Sequence, residues 1–586
     1  LDAHSIFNNE EKVKMLELLS HMFSEDEGID LLNEPDVQLE AMLPYYSEVE
    51  RWALKCASKQ FGLNFEFHSE TKEQECFQFT DLYNNTFYCF LDGYNETDSE
   101  VYVIEVKATT NRKFKELGPK RKGKIDSIFE LKDNIYRLRS INAQELLEKY
   151  GNHYRKLFDP YSNVGANVYD IAVERYIIEN GIRQNRPNLL GKKFKYYLAV
   201  LNGDYVFPGE YKEGEPVYGT SADDSIISFV DMTEITEEYL PRIDEFRERI
   251  SRTIHNPKIE EPKIGSYCEF NRQGGCLFSK VCFPELFEKG AITEYMYFNG
   301  ITEGNKKYSK FDLINANKRK LSDIPRESLT NLNQLIQRDC YDNSKEYINL
   351  VKIESGLTQL EYPLYHLDFE SFPCPLPRFR GERAYSQSLF QYSIHLEREP
   401  GICDEIIDNY SFLGNDFLDH REELIHGLIN TIDLDKGGTV IVYNKSFESN
   451  RLKELMEIFP EYRLKLKEIN ESIFDLMDLV KTKTEFYKEL GFEEEESKIV
   501  NYYHNDLRGL YSIKKILPLF SDLSYEDLDV KNGTEAIAVY ARFKSLPKED
   551  IAVLREDLIK YCRQDTWAMV VILKNLRKKL QDMKKV

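Results

Sequence analysis

An apolar segment, YPLYHLDFESF at residues 362–372, constrains the fold of the C-terminal third more than any other feature. Its aromatic and aliphatic residues predict a buried β-strand that ends at two acids, Asp368 and Glu370. Side chains two residues apart on a strand point to the same face, so we expect the two carboxylates to converge. Such a pair either binds a hard cation or is an exposed acid pair at a strand end. The pair alone favours the second interpretation.

Strand and helix patterns alternate through the rest of this third. SLFQYSIHLE and GTVIVYN have the composition of strands, and SFESNRLKELMEIF follows the latter directly as a helix. The last segment, EDIAVLREDLIKYCRQDTWAMVVILKNLRKKL, is a long helical pattern. The alternation predicts an α/β domain over residues 360–586.

Further polar residues occur where such a domain would bring them near the first strand. Tyr561 and Asp565 are four residues apart on the terminal helix and share a face. Asn444 and Glu448 flank the junction after the third strand. Together with the first acid pair they suit a metal cluster at one sheet edge. Oxygen ligands favour Mg²⁺ or Mn²⁺, and two such ions about 3.5–4 Å apart support phosphodiester cleavage.

Three segments, HLDFES, VYNKSFE and YCRQD, resemble the motifs of the DEDD (DnaQ-like) 3′–5′ exonucleases. The resemblance implies a ribonuclease H-like, mixed-sheet domain in which Asp368, Glu370 and Asp565 bind metal. It also implies that Tyr561, the mark of the tyrosine subtype, positions the attacking water. At the second motif Glu448 stands where these exonucleases usually have Asp.

Two other positions compete for roles in this centre. Asp478, in IFDLMDLV, is the alternative to Glu448 as the second-motif ligand, and Lys514, in SIKKILP, is either a phosphate contact or a solvated helix lysine. The same region also resembles a bacterial family of largely uncharacterised proteins. That resemblance rests on LDFES, AYSQSLFQYSIH, YNKSFE, SIKKILP and YCRQDT, in this order.

A second candidate centre lies in the N-terminal half, which we assign to one domain over residues 1–290. Asp92 precedes Glu105-Val-Lys107 on the strand VYVIEVKA, where the glutamate and the lysine share one face. The acids would bind a divalent cation and the lysine would stabilise negative charge on water or phosphate. The alternative is an ordinary amphipathic strand, which often produces this spacing.

The segments ECFQF, FLDGY, IEVKATT and YDIAVERYIIENG resemble, in order, the RecB-like PD-(D/E)xK nucleases, which have a restriction-endonuclease-like fold. The resemblance implies Glu75 as an accessory acid. It places Glu174, with Tyr176 nearby, where that family usually carries Gln close to Tyr. We expect residues 111–165 to form a polar, helical insertion, and residues 291–359 a helical connector between the two domains.

Cys268, Cys276 and Cys282 follow the N-terminal centre with the spacing C-x7-C-x5-C. Cysteines this close in a reducing cytosol suggest a metal rather than a disulfide. Resemblance to the iron–sulfur nucleases of the RecB-like group implies a [4Fe–4S] cluster; Zn²⁺ is the alternative. Cys56 is a candidate fourth ligand or a simple core residue.

A net charge of −23 argues against passive adhesion to nucleic acid over the whole surface, so contacts must use local basic patches or bound metal. Candidates are residues 111–124 and the segment PRFRGERAY, in which we expect Arg378, Arg380 and Arg383 to steer a nucleic-acid strand toward the acids. Asn444 is a further candidate for contact with the substrate.

A polar N-terminus and the lack of a run of about 20 apolar residues predict a cytoplasmic protein without a membrane partner.

These patterns predict a metal-dependent nuclease, most simply a 3′–5′ exonuclease acting on single-stranded DNA. An RNA exonuclease is the first alternative, because the same metal chemistry cleaves both polymers. The second is a nucleic-acid-binding scaffold whose centres have decayed, an interpretation that Glu448 and Glu174 favour. The oligomeric state is not predicted.

Overall fold

The computed structural model describes residues 35–221, 224–256, 261–265, 268 and 279–585 of a mixed α/β protein with several sheets and helices. The chain divides into two compact units. The N-terminal unit takes its described residues from Leu39–Glu261 and Pro373–Ser386, and the C-terminal unit from residues 35–38, Pro262–Phe372 and Gln387–Val586. No helix of the described part is long and apolar enough to cross a membrane.

A six-stranded mixed sheet forms the centre of the N-terminal unit. A hairpin of β1 (Glu75–Thr80) and β2 (Thr86–Leu91) precedes it. The sheet consists of β3 (Gly93–Glu96), β4 (Glu100–Thr110), β5 (Phe129–Lys132), β6 (Ile135–Leu138), β7 (Lys193–Leu201) and β8 (Ile227–Asp231), in the order β3-β4-β7-β8-β6-β5. The long helices of this unit are α1 (Pro35–Phe61), α2 (Gly165–Asn185) and α3 (Thr233–His255).

Two neighbouring interior strands of this sheet, β4 and β7, run parallel. They are mostly apolar, and the last six residues of β7 are all buried. Such continuous burial is typical of a strand whose two faces are both covered. Since α2 packs against α3 and against β1, the two helices and the hairpin supply part of this cover. β4 is therefore a rigid support for Glu105 and Lys107.

Residues 111–165 differ from the predicted helical insertion, because they contribute β5 and β6 to one side of the sheet. Asp133 and Asn134 connect the two strands, both at positive φ (53° and 59°). A two-residue turn of this kind matches the right-handed twist of a hairpin. The strands have only four residues each, too few for their alternation to stand out from the polar residues around them.

A five-stranded sheet forms the centre of the C-terminal unit. Its strands are β9 (Leu364–Pro373), β10 (Gln387–Glu397), β11 (Asn409–Leu413), β12 (Thr439–Val442) and β13 (Ile473–Asp475), in the order β11-β10-β9-β12-β13. β9 is parallel to β12, β12 is parallel to β13, and β11 is antiparallel to β10. The sheet is mixed, and β9, which carries the Asp-x-Glu pair, is its middle strand.

Eight helices of eight or more residues belong to the described part of this unit. They are α4 (Leu332–Asn343), α5 (Leu350–Leu357), α6 (Arg421–Thr431), α7 (Ser446–Ile458), α8 (Arg463–Glu471), α9 (Ile513–Phe520), α10 (Gly533–Ala541) and α11 (Lys548–Lys584). Helix α11 has 37 residues and packs against β10 and α9.

Shorter elements complete both units. The shorter helices are Arg112–Lys115, Ala143–Glu145, Gly151–Lys156, Ser279–Cys282, Lys310–Asn315, Met477–Val480, Thr484–Glu489 and Glu494–Ser497. Two-stranded pairs join Lys120–Arg121 to Lys124–Ile125, Tyr211–Lys212 to Glu215–Pro216, Thr220–Ser221 to Asp224–Ser225, Gly300–Glu303 to Lys306–Ser309, and Tyr347–Ile348 to Tyr502–Tyr503.

The boundaries of the units differ from the predicted domains in two places. Residues 262–372 belong to the C-terminal unit, so the predicted connector is part of a core: the Gln337 side chain donates to the Tyr503 hydroxyl at 3.1 Å. Residues 373–386 begin at the last residue of β9 but belong to the N-terminal unit, where the Phe207 amide donates to the Glu382 carbonyl at 2.9 Å. Long-range contacts of this kind leave no local signal in the sequence.

Burial of β9 predicts a large cost for truncating its core side chains. Leu367 is completely buried, and we expect Leu367→Ala to lower the free energy of unfolding of the C-terminal unit by about 2–5 kcal/mol. Denaturant titration followed by circular dichroism measures the change.

The matched control is Leu464→Ala on α8, because Leu464 is 78% exposed. The same truncation there is expected to change the free energy of unfolding by no more than about 0.5 kcal/mol. Equal losses for both variants would contradict the central, buried position of β9.

Candidate metal centres

Three acids from two distant parts of the chain meet in the C-terminal unit. Asp368 and Glu370 project from β9 and Asp565 projects from α11, and each offers an oxygen within 4.8 Å of the other two. The alternation of β9 directs both of its acids to one face. The predicted convergence of these three residues is therefore present in the structure.

Buried hydrogen bonds position α11 over the sheet. The Thr566 hydroxyl, next to Asp565, lies 2.8 Å from the Ser393 hydroxyl and 2.8 Å from His395 Nδ1, both on β10. Burial lowers the pKa of His395 to about 4, so the ring is neutral near neutral pH. The Gln391 side chain adds a 2.8 Å hydrogen bond to the Leu558 carbonyl. These hydrogen bonds fix the position of Asp565 relative to the acids of β9.

Electrostatic repulsion within the cluster is strong. Burial raises the pKa of Asp368 well above its usual value, and the Asp565 carboxylate raises it further. Burial likewise raises the pKa of Glu370, with Asp368 as the next cause. Three carboxylates this close must either hold protons or share a cation.

Glu448 supplies a test of whether a cation fits. It lies in the first turn of α7, is 2% exposed, and its Oε2 atom is buried without a hydrogen-bond partner. Burial raises its pKa, and Asp368 is the next cause, so the two carboxylates are neighbours. An unsatisfied buried oxygen is costly unless an ion or water binds it. The four carboxylates therefore fit a hard divalent cation such as Mg²⁺ or Mn²⁺.

Asp478 is the weaker candidate for the second-motif ligand. It lies half-buried on the short helix Met477–Val480. Burial raises its pKa to about 7, and the next cause is Asp475, not the cluster. The Asp475 carboxylate in turn accepts from the backbone N–H groups of Asn444 (3.0 Å) and Lys445 (2.9 Å).

Asn444 is an exposed turn residue between β12 and α7, at φ 72°. Asparagine tolerates this left-handed conformation better than most residues do. Its identity therefore has a backbone explanation besides the predicted contact with substrate.

Two tyrosines and one lysine lie beside the acids. Tyr561 is buried on α11, and burial, with Asp565 as the next cause, raises the pKa of its phenol well above the usual value. Lys514 Nζ lies 5.5 Å from the Tyr561 ring centroid and 5.2 Å from that of Tyr525, and it donates to the Lys531 carbonyl at 2.6 Å. Burial raises the pKa of Asp565, and the hydrogen bond from Tyr525 and the positive charge of Lys514 partly oppose this effect.

Tyr525 is the residue of this centre that the sequence did not reveal. Its hydroxyl donates to Asp565 Oδ1 at 2.6 Å. The residue stands alone in the loop SDLSYEDLD between α9 and α10, where no motif or periodicity marks it.

The N-terminal unit contains a second group of buried ionisable residues. Glu105 and Lys107 of β4 form an ion pair at 2.9 Å, and Lys107 also pairs with Asp170 of α2 at 2.8 Å. Asp92, between β2 and β3, accepts from the Val106 amide at 2.8 Å. Burial raises the pKa of Asp92 well above its usual value, with Glu105 as the next cause.

Glu174 of α2 belongs to this group. Its carboxyl forms a hydrogen bond with Glu105, and its Oε2 atom is buried without a partner. Burial raises its pKa well above the usual value, with the charge of Glu105 as the next cause. Glu174, which stands where RecB-like nucleases usually have Gln, thus adds a further carboxylate to this group.

Two acids of this centre, Glu50 and Asp170, were missed. Burial raises the pKa of Glu50 on α1 to about 7, and Glu105 is the next cause. Asp170 precedes Glu174 by one helical turn, a spacing that could have revealed it. The predicted accessory acid, Glu75, instead forms an ion pair with Arg186. Tyr176 donates its hydroxyl to Asp244.

The cysteine cluster remains a prediction. Cys268 is buried and Cys282 is half-buried in one apolar cluster of the C-terminal unit, whereas Cys276 lies outside the described residues. Cys56 is buried in the N-terminal unit, where its sulfur accepts a hydrogen bond from the Ser225 hydroxyl at 3.7 Å.

The predicted basic patches differ in exposure. Residues Lys120–Arg121 and Lys124–Ile125 form an exposed hairpin. Arg378 is buried with its guanidinium 4.4 Å from the Phe379 ring centroid, and Arg383 donates to the Asp204 carbonyl at 2.7 Å. Arg380 packs beside Gly209. These three arginines thus have structural contacts within the N-terminal unit.

Part of the C-terminal region is similar to a family of proteins known from other sequences. Residues 365–512 match the family described as "Domain of unknown function (DUF2779)". The chain is similar to uncharacterised bacterial proteins. It is 30% identical over 237 residues to "Uncharacterized protein UU173" of Ureaplasma parvum, covering 37% of this chain and 32% of that protein.

A second relative, "Uncharacterized protein MG366" of Mycoplasma genitalium, is 24% identical over 254 residues, covering 40% of this chain and 35% of that protein. The chain thus spans about a third of the length of these two relatives. No solved structure matches it. The matched family segment contains Asp368, Glu370 and Glu448 and ends before Tyr561.

The raised carboxyl pKa values predict that divalent cations stabilise the protein in a pH-dependent way. Where folding raises the pKa of a carboxyl group, the folded state binds more protons than the unfolded state at a pH between the two pKa values. The free energy of unfolding therefore falls as the pH rises through this range. We expect Mn²⁺ to raise the melting temperature more at pH 8 than at pH 5, measured against EDTA by differential scanning calorimetry.

At pH 5 the buried carboxyls retain protons and compete with the metal. The control is a buffer without divalent cations in which NaCl matches the ionic strength of the Mn²⁺ sample. An equal or larger effect of Mn²⁺ at pH 5 would show that these carboxyls are not the binding groups.

Proposed function

We propose that this protein is a metal-dependent nuclease that hydrolyses phosphodiester bonds, with 3′–5′ exonuclease activity on single-stranded DNA. The observation that carries the proposal is the convergence of Asp368, Glu370 and Asp565 within 4.8 Å. Acids from the first and third motifs of the DEDD resemblance, far apart in sequence, form one site. A mixed sheet with the Asp-x-Glu strand at its centre supports the ribonuclease H-like interpretation.

The acids of the C-terminal centre would hold Mg²⁺ or Mn²⁺, with Glu448 as the fourth carboxylate. Bound divalent cations supply a water of lowered pKa and stabilise negative charge on the phosphate. Glu448 is one methylene longer than the usual Asp, and its unpartnered oxygen leaves it available to a cation.

Tyr561 and Lys514 have complementary roles in the proposed reaction. The raised pKa of Tyr561 keeps its phenol protonated, so it can donate a hydrogen bond and orient the attacking water. The ammonium of Lys514 lies near both tyrosine rings and lowers the pKa of Asp565 by its charge, and in this position it would bind a substrate phosphate. A cation at this place offsets the repulsion between the carboxylates and the phosphate.

A second nuclease centre of the PD-(D/E)xK type is part of the proposal. Burial opposes the charge of Lys107, but Asp170 and Glu105 hold its pKa above the usual range, so it remains an ammonium. The acids Asp92, Glu105 and Glu174 would bind the cation. The presence of several buried acids supports metal binding over a decayed scaffold, because buried carboxylates are costly unless a cation or a proton compensates them.

Cleavage of an end-labelled oligonucleotide tests the proposal. We expect 5′-labelled single-stranded DNA with Mn²⁺ to yield a ladder that shortens from the 3′ end. Asp368→Asn should lower this activity by more than about 100-fold, because loss of outer partners of metal ligands alone costs about 10–100-fold. Lys107→Ala should leave the 3′ ladder intact if the C-terminal centre produces it.

The matched control is Asp522→Asn, since Asp522 is exposed and lies outside the acid group. An RNA oligonucleotide of the same sequence separates DNA from RNA as substrate. The proposal fails if the purified protein with Mn²⁺ degrades neither polymer and Asp368→Asn changes nothing.

A further inference from the structure

We propose that Tyr525 is a positioning residue of the C-terminal centre, which fixes the orientation of the Asp565 carboxylate, one of the groups that would hold the cation. This inference rests on the proposed function. The Tyr525 hydroxyl donates to Asp565 Oδ1 at 2.6 Å, across 40 residues of sequence. Tyr561 is a second hydrogen-bond partner of Asp565, so two phenols orient this carboxylate, and Tyr525 holds its Oδ1 atom. Hydrogen-bond partners of this kind orient metal ligands in many sites.

The loop that carries Tyr525 is joined to α11 at two consecutive positions. The Gln564 side chain donates to the Ser524 carbonyl at 2.9 Å, and Tyr525 donates to Asp565. Adjacent residues of the loop therefore contact adjacent residues of the helix. The loop cannot slide along α11 without breaking both hydrogen bonds, so the hydroxyl has a defined position.

Lys514 restrains the ring of Tyr525 from another direction. Its Nζ atom lies 5.2 Å from the ring centroid, within the distance of about 6 Å at which a cation attracts an aromatic face. Because the Lys531 carbonyl accepts from the same ammonium at 2.6 Å, Lys514 is itself held in place. The ring thus connects a fixed cation to a proposed metal ligand.

Tyr525 and Tyr561 have separate tasks in this arrangement. Their ring centroids are 6.3 Å apart, and both rings lie within reach of Lys514. Tyr561 comes from the third motif and is assigned to the attacking water. Tyr525 comes from a loop between α9 and α10 and acts through Asp565. Loss of the Tyr525 hydroxyl should accordingly change metal binding first.

Tyr525→Phe removes the hydroxyl and keeps the ring. We expect Mn²⁺ to bind this variant about 10–100-fold more weakly than wild type, as for other outer partners of metal ligands. Calorimetric titration of the full chain measures the affinity, and the binding component that Asp565→Asn abolishes is assigned to this centre. Turnover should recover in part at saturating Mn²⁺, while KM for the oligonucleotide stays unchanged.

The matched control is Tyr502→Phe, which also removes a phenol that donates to a carboxylate, Glu346, at 2.9 Å. Glu346 is not one of the gathered acids, so Mn²⁺ affinity should not change. Tyr525→Leu, which loses ring and hydroxyl, should bind Mn²⁺ no better than Tyr525→Phe. Melting temperatures of all variants show whether each one is folded.

The inference is overturned if Tyr525→Phe or Tyr525→Leu binds Mn²⁺ like wild type, or if Tyr502→Phe weakens binding equally. Calorimetry does not depend on turnover, so the two proposals are separable. A wild-type protein that binds Mn²⁺ but cleaves no nucleic acid refutes the proposed function and leaves the affinity comparison to decide the role of Tyr525. A wild-type protein that binds no Mn²⁺ at this centre refutes both.

Discussion

Electrostatic repulsion among buried carboxylates is the constraint that the rest of the C-terminal unit must offset. Asp368, Glu370 and Asp565 lie within 4.8 Å of one another in a place from which water is largely removed. Such an arrangement persists only where packing supplies more free energy than the repulsion costs. The apolar residues of β9, β10 and β12 provide that packing, and the hydrogen bonds of Thr566 hold α11 in place against β10.

The two candidate centres balance their charges differently. In the N-terminal unit a buried lysine makes direct ion pairs with two acids, so part of the negative charge is compensated within the protein. In the C-terminal unit Lys514 contacts aromatic rings and a carbonyl, and acts on the acids at longer range. The C-terminal acids therefore have the greater need of an external cation.

The departures from the two family patterns have a common physical character. Glu448 and Glu174 each replace a more usual residue, and each has a buried Oε2 atom without a partner. A decaying site would be expected to relieve buried charge, whereas both substitutions keep or add it. This contrast favours metal binding in both units over a scaffold that has lost its centres.

Local sequence determined the parts of the sites that lie within one element. The i, i+2 spacing of Asp368 and Glu370, the same spacing of Glu105 and Lys107, and the i, i+4 spacing of Tyr561 and Asp565 fix shared faces from backbone geometry alone. Alternating strand and helix patterns likewise predicted the mixed α/β character of the C-terminal unit.

Tertiary structure decided the rest, because it depends on contacts between segments that carry no motif. Glu50, Asp170 and Tyr525 join the centres through packing of α1, α2 and a loop. The four-residue strands β5 and β6 are too short for their pattern to be read, and they form only because the sheet offers a partner. Residues 373–386 follow β9 in sequence, yet their hydrogen bonds place them in the N-terminal unit. The sequence thus determined which side chains share a face and indicated three acids of one site, and only the folded chain revealed the residues without a motif that join each site.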